Sequence, residues 1–170
     1  MERIAKFEKV SLEQFSRDAV DFLAGSDVSV VYSKIILPRR ATAGSAGYDF
    51  FAPAGISLAP GAEVTIPTGI RICMEEGWVL QCYPRSGLGF KYRLQMNNTV
   101  GIIDSDYYFS DNEGHILARF TNGSLKNQTL SLAAGQAFMQ GVFMRFGITY
   151  EDDVKTARNG GFGSTNKNVG

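Results

Sequence analysis

Short apolar segments, separated by glycine, proline and small polar residues, make up most of this chain, which contains 19 glycines. Strands of antiparallel sheets are short and end at such turn residues, whereas a helical bundle needs longer repeats with a period of about 3.6 residues. The pattern therefore predicts an all-β fold, a sandwich or barrel. The segments predicted as strands are residues 28–37, 63–66, 69–74, 77–83, 100–103, 107–109, 116–122, 128–132 and 137–146.

One helical pattern lies near the N-terminus, over residues 11–24. Ser11 and Gln14 have the spacing of a capping box, in which two side chains satisfy backbone N–H groups at a helix start. Gly25 is typical of a helix end. An apolar face at helical spacing normally packs on its own domain, which is what we expect here. The residues on that face are Leu12, Phe15, Ala19, Phe22 and Leu23.

Length and composition narrow the class of protein. A chain of 170 residues fits one domain with a sizeable core. We divide it into a helical extension (residues 1–27), a β domain (28–157) and a flexible, glycine-rich C-terminal arm (158–170). The 17 basic and 17 acidic residues balance to zero net charge without blocks of one sign, which predicts no nucleic-acid partner.

The cysteines and the N-terminus predict a cytoplasmic protein. Cys73 and Cys82 lack the spacing of metal ligands, and buried reduced thiols are the expectation for them. Charged residues interrupt the N-terminus, so a signal-peptide core is not expected there. No apolar stretch is long enough to span a bilayer, so we predict no membrane partner.

The central stretch, residues 97–109, is the first candidate for a functional site. Its apolar residues predict two strands, and Asp104, Ser105 and Asp106 between them have the composition of a tight turn. The resulting hairpin would hold a carboxylate and the phenol ring of Tyr107 close together. Such a pair fits a reaction, and it fits an ordinary polar turn as well.

Two further stretches carry residues suited to charged groups. Asp49 begins a strand after the small residues 41–47, as a cap or a salt-bridge partner. Arg85, Ser86 and Gly87 combine a guanidinium, a hydroxyl and exposed backbone N–H groups, which together bind anionic oxygens. The start of a short helix with a surface arginine has the same composition.

The C-terminal arm has an unusual composition for a tail. Glycine-rich ends are normally floppy. Here Phe162 lies among glycines, with Arg158 before it and Ser164 and Thr165 after it. A segment that folds over a ligand fits this pattern, with the ring on a flat base and the polar side chains on phosphates.

Two polar residues in the second half of the chain have simpler interpretations. His115, the single histidine, lies in a predicted polar loop with no acid or thiol at a telling spacing, which predicts a loop residue rather than a catalyst. Gln140 lies in an apolar strand and needs a hydrogen-bond partner if it is buried.

Taken together, five stretches resemble, in order, the five motifs of the trimeric dUTP diphosphatase (dUTPase) family. The fourth match is weak, and the other four are close. The motifs span residues 46–165 and leave the N-terminal segment outside. They are residues 46–49, 84–88, 98–107, 135–140 and 160–165.

This resemblance implies a jelly-roll subunit, a homotrimer with active sites at the subunit interfaces, and hydrolysis of dUTP to dUMP and pyrophosphate with Mg²⁺. Asp104 would be the general base, and Asp49 would bind the metal through water. The residues implied for the base and sugar are Asn98, Gly101, Ile103, Tyr107 and Phe162. Those implied for the phosphates are Arg85, Ser86, Gly87, Gln140, Arg158, Gly163, Ser164 and Thr165.

The chain departs from the family pattern at three places. Gln136 and Ala137 stand where the fourth motif usually has an Asp-Arg ion pair. One residue fewer than usual separates Arg158 from the glycine pair. A longer loop, through His115, follows Tyr107.

Other functions remain open on these residues. Within the superfamily, the main alternative function is that of a dCTP deaminase, which can be bifunctional, and Tyr107 with the C-terminal motif favours the diphosphatase. A nucleotide-responsive regulatory protein would use the same site to control a macromolecular partner, through the loop 108–115 or the N-terminal helix. A purely structural jelly roll would give Asp49, Asp104 and Phe162 no reason to converge.

Overall fold

The computed structural model describes residues 2–156, which form an all-β jelly roll with a few short helices. Every strand pairing in this range is antiparallel. None of the helices described is long and apolar enough to cross a membrane. The strands are β1 (Ala5–Lys9), β2 (Arg39–Arg40), β3 (Tyr48–Phe51), β4 (Ile56–Leu58), β5 (Glu63–Pro67), β6 (Ile70–Met74), β7 (Trp78–Pro84), β8 (Leu94–Met96), β9 (Gly101–Asp104), β10 (Leu117–Asn122), β11 (Leu130–Leu132) and β12 (Ala137–Arg145).

The strands form four sheets around one hydrophobic core. The largest sheet has the order β2-β3-β12-β7-β9, and a three-stranded sheet has the order β5-β10-β8. Two pairs, β1-β6 and β11-β4, complete the set. The largest fully buried side chains are Phe15, Phe50, Phe120, Phe138, Ile70, Ile72, Leu80, Leu130 and Met139.

The predicted N-terminal helix is confirmed, although its regular part is shorter than expected. Helix α1 spans Leu12–Asp18, and the Ser11 hydroxyl caps it by accepting a hydrogen bond from the Gln14 N–H at 3.0 Å. A turn follows and ends at Gly25, whose φ of +82° is in the left-handed region. The segment also contributes a strand that the sequence did not predict, because β1 pairs with β6.

The predicted strand over residues 28–37 is wrong. This segment contains helix α2 (Val28–Ser33). The Asp27 carboxylate accepts hydrogen bonds from the backbone N–H groups of Ser29 (2.9 Å) and Val30 (3.2 Å), and this cap starts the helix. The β-branched valines favoured a strand, and the cap together with packing against α1 outweighs that preference.

The predicted strand over residues 107–109, and with it the hairpin, is wrong as well. After β9 the chain enters a 3₁₀ helix (Ser105–Phe109) instead of a turn into a second strand. Gly114 then approaches the backbone of the 3₁₀ helix: a Cβ on it would lie 2.8 Å from the Tyr107 carbonyl oxygen and from the Tyr108 Cα. The loop after the 3₁₀ helix therefore folds back over it.

Candidate active site

Three of the predicted site residues converge on one side of the largest sheet. Gln140 of β12 lies opposite Asp49 of β3 on one side and opposite Tyr83 of β7 on the other. Arg85 follows β7 directly, and its Nε lies 3.4 Å from Asp49 Oδ1. Residues directly opposite each other in an antiparallel pair point to the same face, so a carboxylate, an amide and a guanidinium are grouped there.

Arg85 also occupies the N-cap position of helix α3 (Ser86–Tyr92). Its backbone N–H donates to the Phe138 carbonyl of β12 at 3.1 Å, which fixes the start of α3 against the sheet. Ser86 and Gly87 are exposed in the first turn. The interpretation as the start of a short helix with a surface arginine is therefore confirmed, and the binding of anionic oxygens by these residues stays a prediction.

The small residues before Asp49 have a definite packing role. A Cβ on Gly47 would lie 2.7 Å from Gln140 Oε1, so the missing side chain at Gly47 leaves room for the Gln140 amide. Arg40 holds the loop that precedes Gly47 by donating from Nη1 to the carbonyls of Ala43 (2.8 Å) and Ser45 (3.1 Å).

A charged cavity of about 400 Å³ opens beside Asp49. Arg39 lies opposite Asp49 in the β2–β3 register, and its guanidinium carbon lies 5.4 Å from the centre of the Phe51 ring. Arg39 and Arg40 lie outside the sequence motifs and were not predicted as site residues. The sequence signal that could have identified them is the pair of adjacent arginines directly before the small residues 41–47. The residues that line the cavity are Arg39, Arg40, Ala41, Asp49 and Phe51.

A second cavity, of about 500 Å³, lies against β9 and is mostly apolar. Asn98, Gly101 and Ile103, all predicted to contact the base or sugar, line it. Gly101 sits in a tight position, since a Cβ on it would lie 3.1 Å from the Cys82 Cβ. The other residues that line it are Thr65, Cys82, Met96, Asn97, Ile102, Ile116, Leu117, Ala118, Arg119 and Met139.

Asp104 and Tyr107 are not among the residues that line this cavity within residues 2–156. Asp104 ends β9, opposite Val79, and is partly exposed. The Tyr107 side chain is 6% exposed, and its hydroxyl donates to the His115 carbonyl at 2.9 Å. The same hydroxyl accepts a hydrogen bond from Asn112 Nδ2 at 2.9 Å. The O–H donor and one acceptor site of this hydroxyl are therefore used inside the protein.

His115 lies in a loop, as predicted, but the expectation that it has no acidic partner is wrong. Its side chain is fully buried, and Nδ1 lies 2.5 Å from Asp18 Oδ2. Nε2 accepts a hydrogen bond from the Gly69 N–H at 2.8 Å, so the proton of a neutral ring is on Nδ1 and is donated to Asp18. Burial lowers the pKa of His115, and the contact with Asp18 acts in the opposite direction. The partner acid is 97 residues away, so no local spacing shows it.

Cys82 lines the apolar cavity, and its thiol is unreactive. Burial raises the pKa of its thiol to about 12, so the reactive thiolate does not form at neutral pH. Both cysteines are free, Cys82 buried and Cys73 exposed. The expectation of buried thiols is confirmed for Cys82 and is wrong for Cys73.

The residues predicted in the C-terminal arm lie outside the described residues. They are Arg158, Phe162, Gly163, Ser164 and Thr165. Their roles stay predictions.

Comparison with known proteins decides the family. The dUTPase family model matches residues 33–166. The chain belongs to the dUTPase family. This dUTPase-family chain is 40% identical over 148 residues to the deoxyuridine 5'-triphosphate nucleotidohydrolase of Lactococcus lactis, covering 84% of this chain and 97% of the relative. The corresponding protein of Wolinella succinogenes is 35% identical over 142 residues, covering 81% and 91%.

Solved structures agree with this assignment. The dUTPase of Streptococcus mutans has a TM-score of 0.64 and 36% identity, over 84% of this chain and 97% of that one. The dUTPase of phage phi11 of Staphylococcus aureus has a TM-score of 0.63 over 91% and 98%, and at 18% identity it supports the fold alone. Both the resemblance to the dUTPase family and the all-β jelly roll are confirmed.

Proposed function

We propose that this dUTPase-family protein hydrolyses dUTP to dUMP and pyrophosphate, which keeps uracil out of DNA and supplies dUMP for thymidylate synthesis. The observation that carries the proposal is the apolar cavity on β9, because three residues predicted for the base and sugar line it. The relatives from Lactococcus lactis and Wolinella succinogenes are named as deoxyuridine 5'-triphosphate nucleotidohydrolases, which supports the same reaction.

The cavity suits a flat base with few polar atoms. Apolar side chains supply most of its lining, and the Asn98 amide with the backbone of Gly101 and Ile103 would read the uracil edge. Tyr107 would lie against the deoxyribose. Because its hydroxyl is already bonded to His115 and Asn112, the ring would offer no partner to a 2′-hydroxyl.

Asp104 would act as the general base on the attacking water. A carboxylate in hydrogen-bond reach of a water draws its proton as the oxygen approaches the α-phosphorus in line with the departing pyrophosphate. Its place at the end of β9, one residue beyond the cavity-lining Ile103, supports this role.

The charged group would bind the triphosphate. Arg85, Ser86, Gly87 and Gln140 would contact phosphate oxygens, and a guanidinium binds two such oxygens at once. Among residues 2–156 there is no cluster of three or more metal-ligating side chains. A single carboxylate at Asp49 fits Mg²⁺ that is held mainly by phosphates and waters. When bound, the ion would screen the triphosphate charge and orient the pyrophosphate.

The complete site would form between chains of a homotrimer. Within residues 2–156 of one chain, the apolar cavity shares no lining residue with the group of Asp49, Arg85 and Gln140. A second subunit that supplies the missing half accounts for this separation. The C-terminal arm would then close over the site, with Phe162 on the base and Arg158, Gly163, Ser164 and Thr165 on the phosphates. The cytoplasm, where free thiols stay reduced, is the proposed compartment.

The deciding experiment compares the wild type with Asp104→Asn. We expect kcat for dUTP to fall by about 10²–10⁴-fold, because the amide cannot take the proton of water. Binding of a non-hydrolysable dUTP analogue should change little. Pyrophosphate release is measured for dUTP, dCTP, dTTP and UTP, with and without Mg²⁺, together with ammonia release from dCTP. Parallel loss of binding and turnover would make Asp104 structural, and ammonia from dCTP would make the protein a deaminase.

A further inference from the structure

Three polar contacts join the N-terminal segment (residues 2–18) to the loop that follows Asp104 (residues 105–116, here the post-β9 loop). The loop is longer than the family pattern, and the N-terminal segment precedes the motifs. The contacts are Tyr108 Oη to Glu8 Oε2 at 2.8 Å, Ser11 N and Oγ to Glu113 at 2.7 and 2.6 Å, and His115 Nδ1 to Asp18 Oδ2 at 2.5 Å.

The contact between Asp18 and His115 involves a fully buried imidazole, and its geometry is fixed from both sides. His115 Nε2 accepts from the Gly69 N–H, so the ring can donate only through Nδ1. Asp18 Oδ2 accepts this hydrogen bond and also a second one, from Gln14 Nε2 at 2.8 Å. The imidazole therefore has a single orientation, set by α1 and by the backbone before β6.

His115 also holds Tyr107, through the backbone carbonyl of His115. The His115 carbonyl accepts the hydrogen bond of the Tyr107 hydroxyl at 2.9 Å. Asn112 Nδ2 donates to that hydroxyl at 2.9 Å and lies 3.3 Å from the same carbonyl. Since the ring fixes His115 and the carbonyl of His115 fixes Tyr107, a chain of contacts runs from Asp18 to Tyr107.

We infer that Asp18 and His115 are positioning residues for Tyr107, and that through this ring they set the preference of the site for deoxyribose over ribose. The inference rests on the proposed function, in which Tyr107 lies against the sugar. If Asp18 is lost, the His115 ring loses the acceptor for its Nδ1–H and the post-β9 loop can shift. Tyr107 then leaves the position in which it excludes a 2′-hydroxyl, and UTP is accepted more readily.

The test measures kcat/KM for dUTP and for UTP, and compares their ratio between variants. For Asp18→Ala we expect the dUTP-to-UTP ratio to fall by at least about tenfold, because the discriminating ring is no longer held. Asp18→Asn keeps an oxygen that can accept both hydrogen bonds, so its ratio should stay within about threefold of wild type. Asp21→Ala is the matched control, since Asp21 is exposed three residues further on, and its ratio should equal wild type.

A second variant keeps the test decisive if Asp18→Ala does not fold. Asn112→Asp has the same size but cannot donate to the Tyr107 hydroxyl, and its ratio should fall as well. Each variant is first checked for a cooperative thermal transition above the assay temperature and for the sedimentation coefficient of the wild type. The Nδ1–H resonance of His115, at low field in the proton NMR spectrum of the wild type, should be lost in Asp18→Ala.

The results separate this inference from the proposed function. If the rates for dUTP and UTP fall together in folded Asp18→Ala or Asn112→Asp, so that the ratio is unchanged, the contacts merely stabilise the fold and the inference is overturned. If the wild type leaves dUTP intact with Mg²⁺ present, the proposed function itself fails, and the inference fails with it.

Discussion

At the scale of single residues, Gly47 shows how a missing side chain serves the site. The Gln140 amide occupies the space that a Cβ on Gly47 would take, with Gln140 Oε1 only 2.7 Å from that position. Arg40 fixes the loop before it, so the loop cannot simply move away. The proposed contact of Gln140 with the phosphates would therefore depend on glycine directly before the neighbouring strand β3.

Substitution of Gly47 tests this dependence. In Gly47→Ala the Gln140 amide must turn away from the new methyl group, and we expect kcat/KM for dUTP to fall by about tenfold. The free energy of unfolding should change by less than about 1 kcal/mol, because the displaced atoms are the end of a flexible side chain. The control is Gly44→Ala, where no atom lies within 4 Å of the added Cβ. Equal activity of the two variants would contradict the role of Gly47.

At the scale of elements, the post-β9 loop is built around close approach and left-handed backbone. Glu113 and Gly114 have φ values of +58° and +70°. The Glu113 carboxylate accepts both hydrogen bonds from Ser11, and these bonds lower its pKa. Ser11, which caps α1, therefore also binds the tip of the loop.

Gly114→Ala should destabilise the fold more than any other glycine substitution discussed here. The new Cβ would lie 2.8 Å from backbone atoms of Tyr107 and Tyr108, and backbone cannot turn aside as a side chain does. We expect a loss of more than about 2 kcal/mol in urea denaturation. Gly25→Ala is the control: its φ is +82° but the space around it is open, so about 1–2 kcal/mol is expected. Similar losses in both variants would show that the close approach is not tight.

The pair of His115 and Asp18 also predicts how stability depends on pH. The pKa of His115 is lowered in the fold from its ordinary value of 6.5, mainly by burial. The folded state then binds fewer protons than the unfolded chain, so its contribution is complete above about pH 6.5 and is lost as the pH falls below that value. Asp18 and Glu113 face the ring and moderate the shift without reversing it.

Urea denaturation at pH 7.5 and pH 5.0 should show a lower free energy of unfolding at pH 5.0. In His115→Gln this pH dependence should largely disappear, since glutamine does not titrate. The lowered pKa values of Glu8 and Glu113 act only below about pH 4.5 and leave this window unaffected. A wild-type stability that rises on acidification would show that His115 is charged in the fold.

At the scale of the whole molecule, features that depend on neighbouring residues in the chain were predicted from the sequence, and features that depend on contacts between distant residues were not. Local signals predicted most strands of the largest sheet and the cap at Ser11, and the resemblance to the dUTPase family predicted three of the residues that line the apolar cavity, Asn98, Gly101 and Ile103. The pairing of Asp49 with Arg85 and of His115 with Asp18 joins residues far apart in the chain, so spacing could not show either. Helix α2 was missed because the β-branched residues favour strands locally and the fold overrides that preference.

The proposed trimer and the C-terminal arm make a separate prediction. A chain that ends after Asn159 keeps Arg158 but lacks Phe162, Ser164 and Thr165, which are predicted to contact the base and the terminal phosphate. It should sediment as a trimer, like the wild type, while kcat for dUTP falls by about 10–100-fold because the site no longer closes. Analytical ultracentrifugation and pyrophosphate release measure the two quantities. Full-rate turnover by the truncated chain would remove the arm from the mechanism.

The three contacts between the N-terminal segment and the post-β9 loop have a consequence for exchanging parts among dUTPases. A recipient that takes the loop alone would acquire a buried imidazole without the Asp18 acceptor, and a glutamate at the loop tip without the Ser11 N–H and hydroxyl that donate to it. A chimera that receives residues 105–116 should therefore fold stably only if it also receives residues 8–18, so the two stretches form one unit of exchange.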